Sequence, residues 1–186
     1  MYSSTRCQLF ANWQLRICFH SLYNEGILRC REVLLMAEVV AQSLSQELLA
    51  LLQDERFAML STVNRQSGGP YVSAISWVYA SNVSTICFAV NSKSVIVENI
   101  QHNSHVVLNV FARGSVYSIS GHAHVKAERM ENVPLKLTLI EVMIEEVRDV
   151  MFYGSRIAVE PHFEKTYDAR AAEKLDNQVM EALKNA

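Results

Sequence analysis

The stretch FAVNSKSVIVENIQHN, from Phe88 to Asn103, gathers polar side chains where a strand-like run meets a helix-like run. Thr85 to Val90 is apolar and reads as a strand. Ser94 to Asn103 reads as a short helix, with Ile96 and Ile100 one turn apart on a face. Between them, Asn91, Ser92, Lys93 and Ser94 offer an amide, two hydroxyls and one cation. A helix start presents unpaired backbone N–H groups and the positive end of the macrodipole, which together favour an anion. Hydroxyls and an ammonium add charge-assisted hydrogen bonds. The same four residues also make an ordinary polar turn that caps a helix.

Other chemistry-bearing residues are less organised. His122 and His124 alternate onto one face of a strand, but no third ligand lies nearby in the sequence, so hydrogen-bonded histidines are expected and no metal site is assigned. None of the four cysteines forms a CxxC pair. Cys87 lies inside the apolar STICFAV run and is expected to behave as a small buried hydrophobe. Glu145, Glu146, Arg148 and Asp149 read as a solvated face. MFYG, Met151 to Gly154, either closes over a ligand or simply packs. No side-chain acid or nucleophile is obligatory, so no catalytic residue is assigned.

The chain's 186 residues suffice to bury a core, and half of them are hydrophobic. A net charge of −2 gives no reason to expect nucleic acid or an anionic membrane as partner. No apolar run reaches the roughly 18 residues of a spanning helix, so no membrane partner is expected either. The cysteine usage suits a reducing cytoplasm better than a secreted disulfide scaffold.

The first 35 residues differ from the rest: four Arg, no Lys, no Asp and three of the four Cys. Neither a helix nor a strand period is legible there. Gln14, Arg16 and His20 interrupt any signal-peptide core, and Glu25 and Glu32 weaken a transit-peptide reading. Arg31-Glu32-Val33 can be encoded by a purine-rich run resembling a bacterial ribosome-binding site. We therefore expect Met36 to be the natural start, with residues 1–35 a non-native or disordered extension and 36–186 the working domain.

From Met36 onward the elements are short. Ser43 to Glu55 reads as a helix, with Ser43 and Gln46 as a capping box and Leu44, Leu48, Leu51 and Leu52 as its stripe. Arg56 to Val63, Tyr71 to Ala80 and Thr85 to Val90 read as sequential antiparallel strands. Ser104 to Ala112 is a fourth. The fifth runs long from Ser115, with Tyr117, Ile119, Gly121, Ala123 and Val125 on one face. Pro134 is a candidate start of a short helix, and Val142, Ile144 and Val147 are candidate members of a sixth strand. SRIAVEP is a candidate further strand. Asp168 caps a last amphipathic helix carrying Ala172, Leu175, Val179 and Leu183. This order predicts a mainly β protein, a six-stranded antiparallel barrel with flanking helices.

In its order of elements and local motifs the chain resembles the pyridoxamine 5′-phosphate oxidase-like family of FMN-binding split barrels. Three stretches carry the resemblance: FAMLSTVNRQSGGPYVSAISWVY, with its Gly-Pro turn and Trp77; ICFAVNSKSVIVENIQHNSHVVLNVF, with Ser94 and Asn99-Ile100; and YSISGHAHV, similar to the family's Gly-x-Ala strand. The family's usual lysine two residues after the serine is Ile96 here, and Lys93 precedes the serine instead. The oxidase's basic substrate-gripping residues are not recognisable.

The resemblance implies a split barrel that forms a homodimer, with FMN in clefts between subunits. The phosphate would settle on Val90, Asn91, Ser92, Lys93 and Ser94. The ring would lie against Ile75, Ser76 and Trp77, in an apolar slot with backbone groups at its edge. The expected function is that of a cytoplasmic FMN-binding oxidoreductase acting on a small-molecule substrate or electron donor. The alternative is a non-catalytic or stress-related dimer that holds FMN, a deazaflavin or haem.

Overall fold

A computed structural model describes residues 40–186 of the chain. The expected extension over residues 1–35, the start at Met36, and Cys7, Cys18 and Cys30 lie outside the described residues.

Strand β1 (Val40–Ala41) precedes helix α1 (Gln46–Leu51). The helix begins later than the expected Ser43–Gln46 box. Leu44 is held extended by its N–H donating to Val83 O at 2.8 Å, with its side chain 3 % exposed in the core. Only after it can the chain turn, so Ser45 is the cap and its hydroxyl accepts from Leu48 N at 3.2 Å. The far end also stops short of the expected Glu55. Ala80 N takes the carbonyl of Leu52 at 3.0 Å, and Gln53 Nε2 donates to Ala80 O at 2.7 Å.

Strands β2 (Ala58–Val63) and β3 (Pro70–Ile75) form a hairpin. The expected single strand from Tyr71 to Ala80 is in fact two, β3 and β4 (Val78–Asn82). Val78 N donates to Ser76 O at 2.9 Å, an i to i−2 bond that turns the chain sharply. β3 therefore pairs with β2, and β4 pairs with β5 (Thr85–Asn91). Helix α2 (Val95–His102), β6 (His105–Ala112), β7 (Ser115–Ala127) and β8 (Leu137–Asp149) come next.

The ambiguous stretch after Pro134 is strand, not helix. Met130 N donates to Leu137 O at 2.8 Å, closing a β7–β8 hairpin around it. SRIAVEP forms no strand; residues 150–168 are irregular. The last helix, α3 (Ala169–Lys184), is capped by Asp168, whose carboxylate accepts from Ala171 N at 2.8 Å.

All strands pair antiparallel in the order β3-β2-β6-β7-β8-β5-β4, with β1 added on β8. The two ends of that path, β3 and β4, are joined by only Ser76 and Trp77, so the sheet must curl into a barrel. Its interior holds Leu60, Phe88, Leu108, Ile119, Ile140 and Val142, each 0 % exposed. Leu48 and Leu52 of α1 and Ile96 and Ile100 of α2 pack into the same core. The expected inward face of β7 is observed at Ile119, Gly121 and Ala123. A second apolar cluster joins Cys87, Ala89 and Leu139 to Val179, Met180 and Leu183 of α3. The six consecutive buried residues Thr85–Val90 result from this, since β5 is covered on both faces. Among the described residues no helix is long and apolar enough to cross a membrane.

Candidate functional site

The strand–helix junction is a tightly bonded turn. Val90 is 6 % exposed and points its side chain into the barrel core. Asn91 organises the turn: its carbonyl accepts from Ser94 N at 2.8 Å and its Oδ1 from Lys93 N at 2.9 Å. Ser92 N donates to Lys136 O at 3.0 Å, and its hydroxyl to Glu128 O at 3.3 Å. Ser94 is the cap of α2, with its hydroxyl accepting from Ile96 N at 3.3 Å. Four of the N–H groups at this corner are thus satisfied within the protein. What remains outward is the hydroxyl proton of Ser94 and the ammonium of Lys93, which has no ion-pair partner among the described residues. Ile96 is 5 % exposed in the core, so a lysine at that position would be buried among apolar side chains.

Ile75, Ser76 and Trp77 form the bend between β3 and β4. Ala89 N donates to Trp77 O at 3.0 Å, so the bend and the end of β5 are hydrogen-bonded neighbours. The two groups of residues singled out in the sequence therefore converge at one end of the barrel. Trp77 has company that the sequence does not announce. Its Nε1 donates to Asp176 Oδ1 of α3 at 2.9 Å, and its ring packs beneath that helix in the second cluster. Ser76 O also accepts from Arg56 N at 3.2 Å.

Asp176 is itself held by Lys165, whose ammonium donates to Asp176 Oδ1 at 3.0 Å and to Glu55 Oε1 at 2.8 Å. Burial pulls the Lys165 ammonium downward, but the hydrogen bonds to Glu55 and Asp176 outweigh it and hold it above the ordinary value of 10.5. A cation whose folded value is raised stabilises the fold fully below 10.5 and loses that contribution as pH climbs through the folded value. The thermal midpoint of Lys165→Met should accordingly lie below that of the parent at neutral pH, with the gap narrowing above pH 10.5. A gap that stays constant across that range would show that the ammonium's charge is not what is lost.

Arg56, Glu55, Lys165 and Asp176 carry no local signal of this role. Trp77 and Asp176 meet across 99 positions of sequence. The histidines behave as expected: His122 bonds Ser104 Oγ at 2.9 Å and Glu145 Oε1 at 3.0 Å, and His124 bonds Glu141 Oε2 at 3.4 Å. The described residues contain no cluster of three or more groups able to hold a metal. Cys87 is 1 % exposed, and burial pushes its thiol up, so it stays protonated and unreactive. In MFYG, Phe152 and Tyr153 are 70 % and 79 % exposed, so they are not packed into the core of the described residues.

A cavity of about 1020 Å³ lies between α3 and the turn after β7, lined in part by Arg129, Met130, Leu139 and Lys174. Two smaller ones, of about 430 and 350 Å³, lie along β7. None of the three includes the eight predicted site residues.

Comparison with known proteins bears on this arrangement. A family profile described as pyridoxamine 5′-phosphate oxidase matches residues 44–151, more than half of the chain. A candidate pyridoxamine 5′-phosphate oxidase from Lactobacillus delbrueckii superposes with a TM-score of 0.50 at 19 % identity, over 59 % of this chain and 97 % of that one. The HupZ protein of Group A Streptococcus gives 0.48 at 17 %, over 62 % and 99 %. An F420 reductase gives 0.45 at 19 %, over 53 % and 93 %. Among curated proteins, none matches the chain.

Proposed function

The chain belongs to the pyridoxamine 5′-phosphate oxidase family, and from that premise we propose that it is an FMN-binding protein acting as an oxidoreductase on a small molecule. The observation that carries this reading is the convergence of two segments at one barrel end, joined by the Ala89 N to Trp77 O bond. One segment keeps a cation and a hydroxyl donor outward, at Lys93 and Ser94, and these suit a phosphate. The other is a bend with Ile75 and Ser76 both half-buried. When bound, the flavin would supply the electron chemistry, and the protein would hold the phosphate, orient the ring and exclude water.

Asn91 and Lys93 are exposed among the described residues, and a second copy of the chain would complete a cleft over them. We therefore propose a homodimer, cytoplasmic on the cysteine usage, with residues 36–186 as the cofactor domain. The second reading is a non-catalytic binder of FMN, a deazaflavin or haem. It is favoured by Ile96 in the lysine's place and by the four N–H groups already satisfied at the corner.

Titration with FMN, followed by quenching of flavin fluorescence, tests the assignment. Lys93→Ala should weaken binding about ten- to a hundredfold, since a hydrogen bond to a charged group contributes roughly 1.5–3 kcal/mol. Ser94→Ala should weaken binding as well and also lower stability by about 1 kcal/mol through loss of the helix cap. If neither substitution changes the affinity, the phosphate does not sit here. Turnover of NAD(P)H by the FMN-loaded protein separates the enzyme from the carrier.

A further inference from the structure

His122 is bonded at both ring nitrogens, and its two partners differ in what they can do. Its Nε2 lies 3.0 Å from Glu145 Oε1, and its Nδ1 lies 2.9 Å from Ser104 Oγ. A carboxylate only accepts, so Nε2 carries the proton. Nδ1 of the neutral ring is then an acceptor, and the Ser104 hydroxyl donates to it. A hydroxyl donating to an imidazole whose far nitrogen is held by a carboxylate is the arrangement that activates a serine nucleophile. Which nitrogen faces the serine is immaterial, because either serves as base once the other carries the proton.

The fold holds each of the three. Ala123 N donates to Ser104 O at 2.8 Å, which fixes the serine where α2 gives way to β6. The His105 ring lies against the His122 ring with centroids 4.3 Å apart, and His105 Nδ1 donates to Asn103 Oδ1 at 3.1 Å. Glu145 is the extra residue of a bulge in β8, since Ser120 faces Glu146 and Gly121 faces Ile144. Bulges re-aim side chains, and this one leaves the Glu145 carboxylate free to reach His122. Ser104 is half-buried and lines the cavity of about 430 Å³ beside β7. Ile100, Ala123 and Val125 give that cavity apolar surface, and Gln101 and Lys126 give it polar ends. Its size and mixed lining suit a small organic ligand.

We propose that Ser104, His122 and Glu145 form a second site, separate from the strand–helix junction, that hydrolyses short-chain carboxylic esters. Ser104 Oγ attacks the ester carbonyl carbon while its proton passes to His122 Nδ1, and Glu145 stabilises the imidazolium so formed. Gln101 carries an amide donor on the cavity wall for the carbonyl oxygen as it gains charge. The bond from the carbonyl carbon to the alkoxy oxygen breaks, and His122 hands its proton to the departing alcohol, leaving an acyl-serine. A water then gives a proton to His122 and attacks the acyl carbon, and Ser104 leaves and recovers that proton. One ester and one water become one acid and one alcohol, with no change in oxidation state. The site needs nothing bound at Lys93 and Ser94, so it stands or falls separately from the flavin assignment.

A fluorophosphonate probe tests the nucleophile directly, since attack by Ser104 Oγ on phosphorus expels fluoride and leaves a stable adduct. Mass spectrometry of the labelled full-length chain should place the adduct on Ser104, and His122→Gln should slow labelling about tenfold or more. Hydrolysis of p-nitrophenyl acetate, read as release of p-nitrophenolate, should fall about tenfold or more in Ser104→Ala. Glu145→Gln should lose about as much, because its amide can hold the ring in the wrong tautomer. Surface histidines also cleave this ester slowly, so His162→Gln, at an exposed position outside the site, is the control and should match the parent. If a variant folds poorly, labelling of the parent decides by itself. No adduct on Ser104, or a Ser104→Ala rate equal to the parent's, would overturn the proposal.

Discussion

Gly121→Ala is expected to lower stability by about 3–5 kcal/mol, among the largest effects a single methyl can have. At this position β7 and β8 slip in register: Ser120 faces Glu146, while Gly121 faces Ile144, leaving Glu145 as the extra residue. The bulge pushes the β8 main chain toward Gly121. A Cβ there would lie 2.1 Å from Met143 O, 3.0 Å from Met143 C and 3.2 Å from Ile144 Cα. These are backbone atoms in the longest strand pair, so no side chain can swing aside. The strands must separate or the bulge must flatten, and either breaks ladder hydrogen bonds. For a domain of this size the thermal midpoint should fall by about 10 °C. Gly69→Ala is the matched control. Its nearest neighbour would be Ser67 Oγ at 3.5 Å, an ordinary contact, and the expected change is within about 0.5 kcal/mol. Equal midpoints for the two variants, measured by calorimetry, would show that the β8 bulge yields without cost.

Asn99→Leu should cost about 3 kcal/mol, from loss of a fully buried polar network. Asn99 is 0 % exposed on α2 and uses both ends of its amide. Its Nδ2 donates to Thr62 Oγ1 at 3.0 Å, and its Oδ1 accepts from Arg65 N at 2.9 Å. One side chain thus ties the helix after the junction to strand β2 and to the β2–β3 turn. Leucine fills the space but leaves a backbone N–H and a buried hydroxyl without this partner. Thr62→Val removes one arm of the network and should be milder, about 1 kcal/mol. In a double-mutant cycle the pair should couple by about 1 kcal/mol, because once Asn99 is gone the Thr62 hydroxyl has lost the same bond. Additive effects would mean that the two residues act independently. Chemical denaturation gives all four values, provided the slopes of the transitions agree.

Both positions fall in motifs through which the chain resembles its family, and in both cases the structure supplies a packing reason. The glycine of YSISGHAHV is where a bulge approaches closely. The asparagine of ENI is where a helix is riveted to a hairpin. Neither reason is visible in one dimension, because the partners, Met143, Thr62 and Arg65, lie on other elements.

Local signals performed well where the decisive contacts are local. Ser94 and Asp168 cap their helices because cap bonds span two or three residues. The alternation along β7 places Ile119 and Ala123 inward because side-chain period is a property of the strand itself. They failed where a distant group competed for the backbone. Ser43 lost the cap to Ser45 because Val83 holds Leu44. The strand expected at Tyr71–Ala80 broke because its two halves have different partners, β2 and β5. Pro134 sits in a hairpin turn because β7 and β8 pair on either side of it.

What the sequence determined by itself is the polar turn Asn91–Ser94, the strand and helix on either side of it, and membership of an antiparallel barrel class, since these come from periodicity, capping and turn chemistry over a few residues. What only the tertiary structure decided is the company those residues keep. Trp77 lies under α3 on Asp176, Arg56 is paired with Glu160, and Lys165 bridges two carboxylates. Apart from Lys165 with Asp176, 11 residues apart, these pairings close loops of 99 to 110 residues, and their free energy depends on the whole barrel having already brought the ends together.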